Sequence, residues 1–364
     1  MCGVRAPGGP LEGGLIAFYV VGPFFFDLTI PLVRMDGNGG FFKKGDCMIF
    51  EEMIKTECTD ERYEAWEKYR DSLTDFILDG IEHYYRKKKI KSMGVRRLSA
   101  EIGLESLLSE QKNKPTVAIW GAGGGNDIDL PRLAKYFHLV LIDHNLEQLQ
   151  NTCERFGLTD QQCSCVDLQF WHISIADYKR IEAMLVEGSS DEIIIRTINE
   201  IIMRMPLYEY AKLPKYDFSI CVGLASQLNA RLAMLFTLHG RGTEFSDYLL
   251  ELNDIAVNKL ADFIYNITKN TVMFGYEVTT LKNTEAMLAD LLTYEPEEWE
   301  QKKEWPPHSL ISDISGNDIL SEWICENIKE GNITADSFET LVWPFAAQKH
   351  FIMLFCYFSI IKNC

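Results

Sequence analysis

The spacing of apolar positions divides the chain into stretches of different character. Residues 1–50 are Gly-rich and apolar, and the run at 15–33 (LIAFYVVGPFFFDLTIPLV) approaches the length of a bilayer span. Pro23, Asp27 and Pro31 interrupt it, so it reads as two buried strands around a turn at Gly22-Pro23 rather than as an anchor. From Asp60 onward, Tyr63, Trp66, Tyr69, Leu73, Phe76, Ile77, Ile81 and Tyr84 recur mostly at three- and four-residue steps with charges between them. That period predicts an amphipathic helix, with Thr59 or Asp60 as its cap.

From Pro115 the pattern alternates. Short apolar runs predict strands at 117–120, 139–142, 163–168, 216–224 and 271–278. Helical periods lie between them, at 131–137, 146–156, across most of 173–210, and at 248–268. Strands alternating with helices mean a parallel sheet covered on both faces. The tail departs from this rule. A strand at 338–343 and a continuous apolar run at 350–361 are joined by residues 344–349, too few for a crossover helix. The two are therefore expected to pair antiparallel, with the last strand inside the sheet. The expected organisation is an N-terminal extension of unassigned role (1–50), a helical cap (51–114) and one α/β domain (115–364). Two inserts, at about 171–215 and 280–336, interrupt that domain.

Composition sharpens this picture in two ways. The 364 residues carry 36 Lys+Arg against 53 Asp+Glu, a formal charge of −17, with 47% apolar residues. So apolar a chain builds a large core rather than remaining disordered. So acidic a chain repels phosphate, which disfavours nucleic acid and anionic membrane as partners. The basic run Arg86, Lys87, Lys88, Lys89, Lys91, Arg96 and Arg97 is a local exception. A solvated helix C-terminus is the expected explanation, with an anion patch as its alternative. The ten cysteines are scattered, and only Cys163 and Cys165 are close. With no C-x-x-C pair, the expectation is reduced thiols in a cytoplasmic protein and no metal site.

The chemistry concentrates at Gly121-Ala122-Gly123-Gly124-Gly125-Asn126-Asp127, between a predicted strand and helix. Glycines there allow positive φ and close approach of a ligand, and the following helix turns free amides toward it. Asp143 ends the next strand, about 20 residues on, where a carboxylate meets the hydroxyls of an adenosine ribose. Two cofactor classes share this layout. A dinucleotide places its pyrophosphate at the helix terminus, where Asp127 would repel it. A cofactor with a cationic amino group and a sulfonium suits Asp127, which points to S-adenosylmethionine (SAM).

Here the sequence resembles the class I SAM-dependent methyltransferases. VAIWGAGGGND is similar to their first motif and LIDHN to the acidic end of the second strand. CSCVDLQF resembles the third-strand motif, YDFSICVGLASQL the fourth strand and its loop, and WPF…HFIMLFCYFSII the terminal hairpin. The resemblance spans roughly residues 100–364. It implies a Rossmann-like, seven-stranded, mostly parallel sheet with a C-terminal antiparallel hairpin, preceded here by the helical cap. It also implies SAM as cofactor, held by Gly121, Ala122, Gly123, Gly125, Asp127, Asp143, His144, Asp167, Leu168, Val222 and Gly223. Asp167 would meet the adenine amino group. Many members carry an acid where Ile119 stands, so the methionine amino group falls to Asp127 or to a loop carbonyl.

Methyl transfer from a sulfonium needs proximity and orientation before it needs a base. Ser226 and Gln227, after the fourth strand, are candidates to orient an acceptor, and His239 is a candidate base. His172 is a further pocket candidate. Trp299, Trp305 and Trp323 either wall an acceptor pocket or cover the sheet. The Asn-Pro-Pro-Tyr loop of enzymes that methylate amino groups on bases or glutamine is absent. A small-molecule acceptor is therefore expected, with no nucleic acid or membrane partner and the oligomeric state open. Two rivals remain: an NAD(P)-dependent oxidoreductase using the same glycine loop, and a SAM-binding module without catalysis.

Overall fold

The computed structural model describes residues 61–99, 102–109, 111–168, 173–203, 213–280, 317–346 and 349–361. The expected strands at 15–33, the helix cap at Thr59 or Asp60, Trp171, His172, Trp299 and Trp305 lie outside these residues.

A short helix, α1 (Glu61–Ala65), breaks at Trp66 and resumes as α2 (Glu67–Met93). In α2, Tyr69, Leu73, Ile77, Ile81 and Tyr85 repeat every four residues and form the buried stripe. Gly94, at φ 64°, stops the helix in the left-handed conformation. Then come α3 (Leu104–Leu108), β1 (Thr116–Trp120), α4 (Leu130–Ala134), β2 (His138–Asp143), α5 (Leu146–Arg155) and β3 (Cys163–Asp167). These are followed by α6 (Ile175–Val186), α7 (Asp191–Met203), β4 (Tyr216–Val222), α8 (Ala230–Leu238) and α9 (Ser246–Ile267). The chain continues through β5 (Thr268–Thr280), α10 (Asn317–Lys329), β6 (Ile333–Ala346) and β7 (Lys349–Ile360).

The seven strands form one sheet in the order β3-β2-β1-β4-β5-β7-β6. The first five pair in parallel, and β7 runs antiparallel to both β5 and β6. This is the expected Rossmann-like sheet with its terminal antiparallel hairpin. The apolarity of β7 has a direct cause, since the strand is covered on both faces. Met353, Phe355 and Tyr357 turn toward α2, while Leu354, Cys356 and Phe358 join the core formed with α9 and α10. A separate core joins α6, α7 and α8 through Ile181, Ile194, Ile198 and Leu235.

The helix α2 is seated on the sheet by close fit. A Cβ at Gly80 would overlap the Tyr357 ring. The Tyr357 hydroxyl donates to the Ile77 carbonyl at 3.0 Å. Part of the basic run is also absorbed by structure: Arg86 pairs with Glu82 at 2.7 Å and Lys87 with Asp336 at 2.8 Å.

Several boundaries differ from the sequence expectation. Of the stretch expected to be mostly helical over 173–210, the described residues 173–203 hold two helices, divided where Gly188 takes φ 71°. Helix α8 escaped prediction because ARLAMLFTL is apolar nearly all round and shows no stripe. Helix α10 lies in the insert whose aromatic residues were expected either to wall a pocket or to cover the sheet. Its Trp323 donates to Asp262 at 2.8 Å and packs on Phe274, so it covers the sheet. Pro344, expected in the hairpin connection, lies within β6. An edge strand tolerates proline, and the pairing shifts register there, between Trp343 and Ala346. Among the described residues no helix is long and apolar enough to cross a membrane.

Candidate functional site

The site is built where β1 leaves the sheet. Gly121 turns the chain at φ 70°, and the amides of Gly121 and Ala122 both donate to the Ile142 carbonyl, at 2.9 and 3.2 Å. Gly125, at φ 65°, has no room for a side chain: a Cβ would lie 2.8 Å from Leu130 Cδ1 and 2.9 Å from Thr152 Cγ2. The loop is thus wedged between α4 and α5. Thr152 Oγ1 donates to the Gly123 carbonyl at 3.0 Å and fixes it from behind.

Asp143, at the end of β2, accepts the Gly123 amide on Oδ2 at 3.0 Å, and its Oδ1 lies 2.7 Å from His144 Nδ1. Burial acts to raise its pKa, but the His144 hydrogen bond and charge and the Gly123 amide outweigh it. The carboxyl lies below its ordinary value. Asp167 aligns with Asp143 across β2 and β3, and the Leu168 amide donates to the Asp143 carbonyl at 2.8 Å.

Asp127 is the electrostatic centre of the loop. Its Oδ1 is shielded from solvent and has no hydrogen-bond partner among the described residues. Burial, and then the charge of Glu277, push its pKa up to about 7, while Arg70 pulls the other way. Arg70 is delivered by α2. It donates to the Tyr63 carbonyl at 2.6 Å and the Asn126 carbonyl at 3.4 Å, and its guanidinium lies 3.5 Å from the centre of the Tyr63 ring. Tyr69 is buried beside it, its hydroxyl pKa raised well above normal by burial, Asp127 and Glu277 in that order. A small cavity of about 20 Å³, partly open to solvent, is lined by Trp120, Gly121, Ala122, Asp127, Ile128 and Val222 among others.

On the other side, β4 is followed by Gly223, which turns at φ 61° and donates its amide to the Gly275 carbonyl at 2.8 Å. In the single turn that follows, the Ser226 hydroxyl donates to Glu277 Oε1 at 2.8 Å, and Gln227 Nε2 donates to Ser226 Oγ at 3.3 Å. Asn317 Nδ2, from α10, donates to Glu277 Oε2 at 3.0 Å and to the Glu277 carbonyl at 2.8 Å. Glu277 is only 2% exposed.

The cofactor residues expected from sequence therefore gather at the C-terminal ends of β1, β2, β3 and β4. Strand order reverses between β1 and β4, which is where open α/β sheets bind ligands. His239 stands apart. It caps α8, and its Nε2 lies 3.4 Å from Glu182 Oε1 on α6. Sequence reasoning missed Arg70, Tyr69, Glu277 and Asn317. An acid inside the otherwise apolar strand at Glu277 was the available signal. It also treated Cys153 as a scattered thiol, whereas the structure sets it against Cys163 and Cys165.

No protein-family model matches the chain, and no curated protein matches it. Solved structures do align with it at low identity. A SAM-dependent methyltransferase from Methanosarcina mazei is 8% identical over 70% of this chain and 95% of its own, with a TM-score of 0.35. A magnesium protoporphyrin IX methyltransferase from Synechocystis with bound S-adenosylhomocysteine is 9% identical, covers 80% and 97%, and has a TM-score of 0.32. A glycopeptide N-methyltransferase complexed with SAM is 9% identical, covers 70% and 85%, and has a TM-score of 0.31.

Proposed function

We propose that the chain binds SAM and transfers its methyl group to a small-molecule acceptor. The observation that carries this reading is Asp127. A shielded carboxylate oxygen with no partner lines the cavity beside the glycine loop, with a second acid, Glu277, raising its pKa. A cationic ligand relieves both the desolvation and the repulsion, whereas a pyrophosphate aggravates them. The methionine amino group of SAM is such a cation, and Asp127 substitutes for the acid that Ile119 lacks.

The remaining roles follow from position. Asp143, braced by Gly123 and His144, offers its outer face to the ribose hydroxyls. Asp167 and Leu168 bound the adenine, and the Gly223 turn borders the reacting end. When bound, SAM supplies an electrophilic methyl with its leaving group already charged. The protein's task is to orient an acceptor and to exclude water. Arg70 ties α2 to the loop, in keeping with a cap role for α2 on the domain at 115–364. The free cysteines and the acidic charge support a cytoplasmic setting and a non-nucleic acceptor.

Calorimetry with S-adenosylhomocysteine and with NAD at pH 8 tests the cofactor. Binding of the first and not the second is expected, and the reverse would replace this reading with the oxidoreductase. Incubation with SAM and fractionated metabolites, read by mass spectrometry, tests turnover. Methylated product is expected, and SAM binding without any product would leave a binding module.

A further inference from the structure

Behind the glycine loop, outside the site just described, three thiols converge. Cys163 and Cys165 are two residues apart on β3 and so share one face of the sheet. Helix α5 covers that face and turns Cys153 toward them. Cys153 Sγ lies 3.3 Å from Cys163 Sγ and 3.5 Å from Cys165 Sγ, and all three sulfurs lie within 4.8 Å of one another. These are not disulfide distances, which are near 2.05 Å. At 3.3 and 3.5 Å the two Cys153 separations are a few tenths of an ångström shorter than the about 3.8 Å between thiolates that share one tetrahedral ion at Zn–S bonds of about 2.3 Å.

We propose that Cys153, Cys163 and Cys165 form a binding site for one thiophilic d10 cation, of the Zn²⁺ or Cu⁺ class. The ligand set is sulfur only, and thiolates select such ions over hard ones. Cys163 is buried, while Cys153 and Cys165 are half-buried. The sulfur triangle therefore has a closed side and an accessible side, where an ion enters and a water can complete a fourth position. It is the single cluster of its kind among the described residues. Burial first, and then the neighbouring Cys153, keep the Cys163 and Cys165 thiols protonated, with Cys165 pushed up to about 12. A bound cation replaces those protons with its own charge. The site is separate from the cofactor pocket but close to it in the chain, since Thr152, the residue before Cys153, is the one that holds Gly123.

The test uses the full chain, reduced with a phosphine, stripped with a chelator and kept anaerobic at pH 8. Titration with Cd²⁺ is expected to give an ultraviolet thiolate-to-metal band that saturates at one equivalent, with a rise in Tm. Cys153→Ser and Cys165→Ser should each lose the one-equivalent band. Cys325→Ser, which alters a thiol on α10, should keep it. Cys163→Ser is secondary, because its burial makes it the variant most exposed to misfolding. In a parallel arm, Cu⁺ is offered from a chromophoric chelator. Uptake in that arm alone assigns the site to the monovalent ion, and uptake of Cd²⁺ alone assigns it to the divalent one. Failure of both ions to bind at one equivalent overturns the proposal. So does a one-equivalent band that survives in both Cys153→Ser and Cys165→Ser.

Discussion

Two loops leave the sheet in the same way and then diverge. After β1 and after β4 a glycine turns at positive φ, Gly121 at 70° and Gly223 at 61°. Each donates its amide to the neighbouring strand, to Ile142 at 2.9 Å and to Gly275 at 2.8 Å. Beyond that turn the first loop carries a carboxylate, Asp127, with an unmatched shielded oxygen. The second meets a carboxylate, Glu277, that receives hydrogen bonds from Ser226 and Asn317. The backbone device is shared, and the difference lies in whether the acid is satisfied from within. An acid satisfied by its own protein holds the fold, whereas one left open is where the proposed function places a ligand.

The largest test of this contrast is Gly125→Ala. A side chain there meets Leu130 and Thr152 below 3 Å at φ 65°. The loss of stability should be roughly 2–5 kcal/mol in denaturant unfolding. A loss under 1 kcal/mol would mean that the first loop is not wedged as described.

Next is Asp127→Asn, which should weaken S-adenosylhomocysteine by roughly 10- to 100-fold in calorimetry, the range for a hydrogen bond to a charged group. Stability should move in the opposite direction. With a folded pKa of about 7 against an ordinary 3.8, the native state holds this proton longer than the unfolded chain. That contribution is complete below about pH 4, declines as pH rises, and is lost above about 7. Asparagine does not ionise, so the ligand-free variant should melt above wild type at pH 8 by the equivalent of roughly 2–4 kcal/mol. The two proteins should converge near pH 4. For the same reason wild-type affinity for the amino-bearing ligand should fall as pH drops through 7.

Glu277→Gln removes the charge that raises Asp127 and should lower the midpoint of that pH dependence by up to about 1 unit. An unmoved midpoint would disconnect the two acids. The smallest effect is expected from Ser226→Ala, a stability loss of about 1 kcal/mol with ligand affinity nearly unchanged. If turnover fell far more than stability, the second loop would be facing substrate after all.

How much of this was legible in the sequence depends on whether the partners are close in the chain. The glycine loop, Asp143 and the hairpin could be read because each is local: a turn needing positive φ, a strand end about 20 residues on, a connection too short to cross over. Asp127 was legible from its charge alone. Arg70 was not, because it reaches the Asn126 carbonyl across 56 residues of chain, nor was Glu277, which meets Ser226 across 51. Periodicity states which face a residue occupies and not what covers that face. Cys153 shows the same limit, since its nearest thiol partner lies 10 residues on and on a different element. Helix α8 was lost for the opposite reason, because burial on every side erases the stripe that periodicity detects.

The hydrogen bond from Tyr357 to Ile77 spans 280 residues. At a synthesis rate of about 5–20 residues per second, roughly 15–60 s separate the two partners as the chain emerges. During that interval the stripe from Tyr69 to Tyr85 has no β7 to rest on and must be shielded by other means. A helix made early is thus among the last to be seated, waiting on a strand near the far end of the chain.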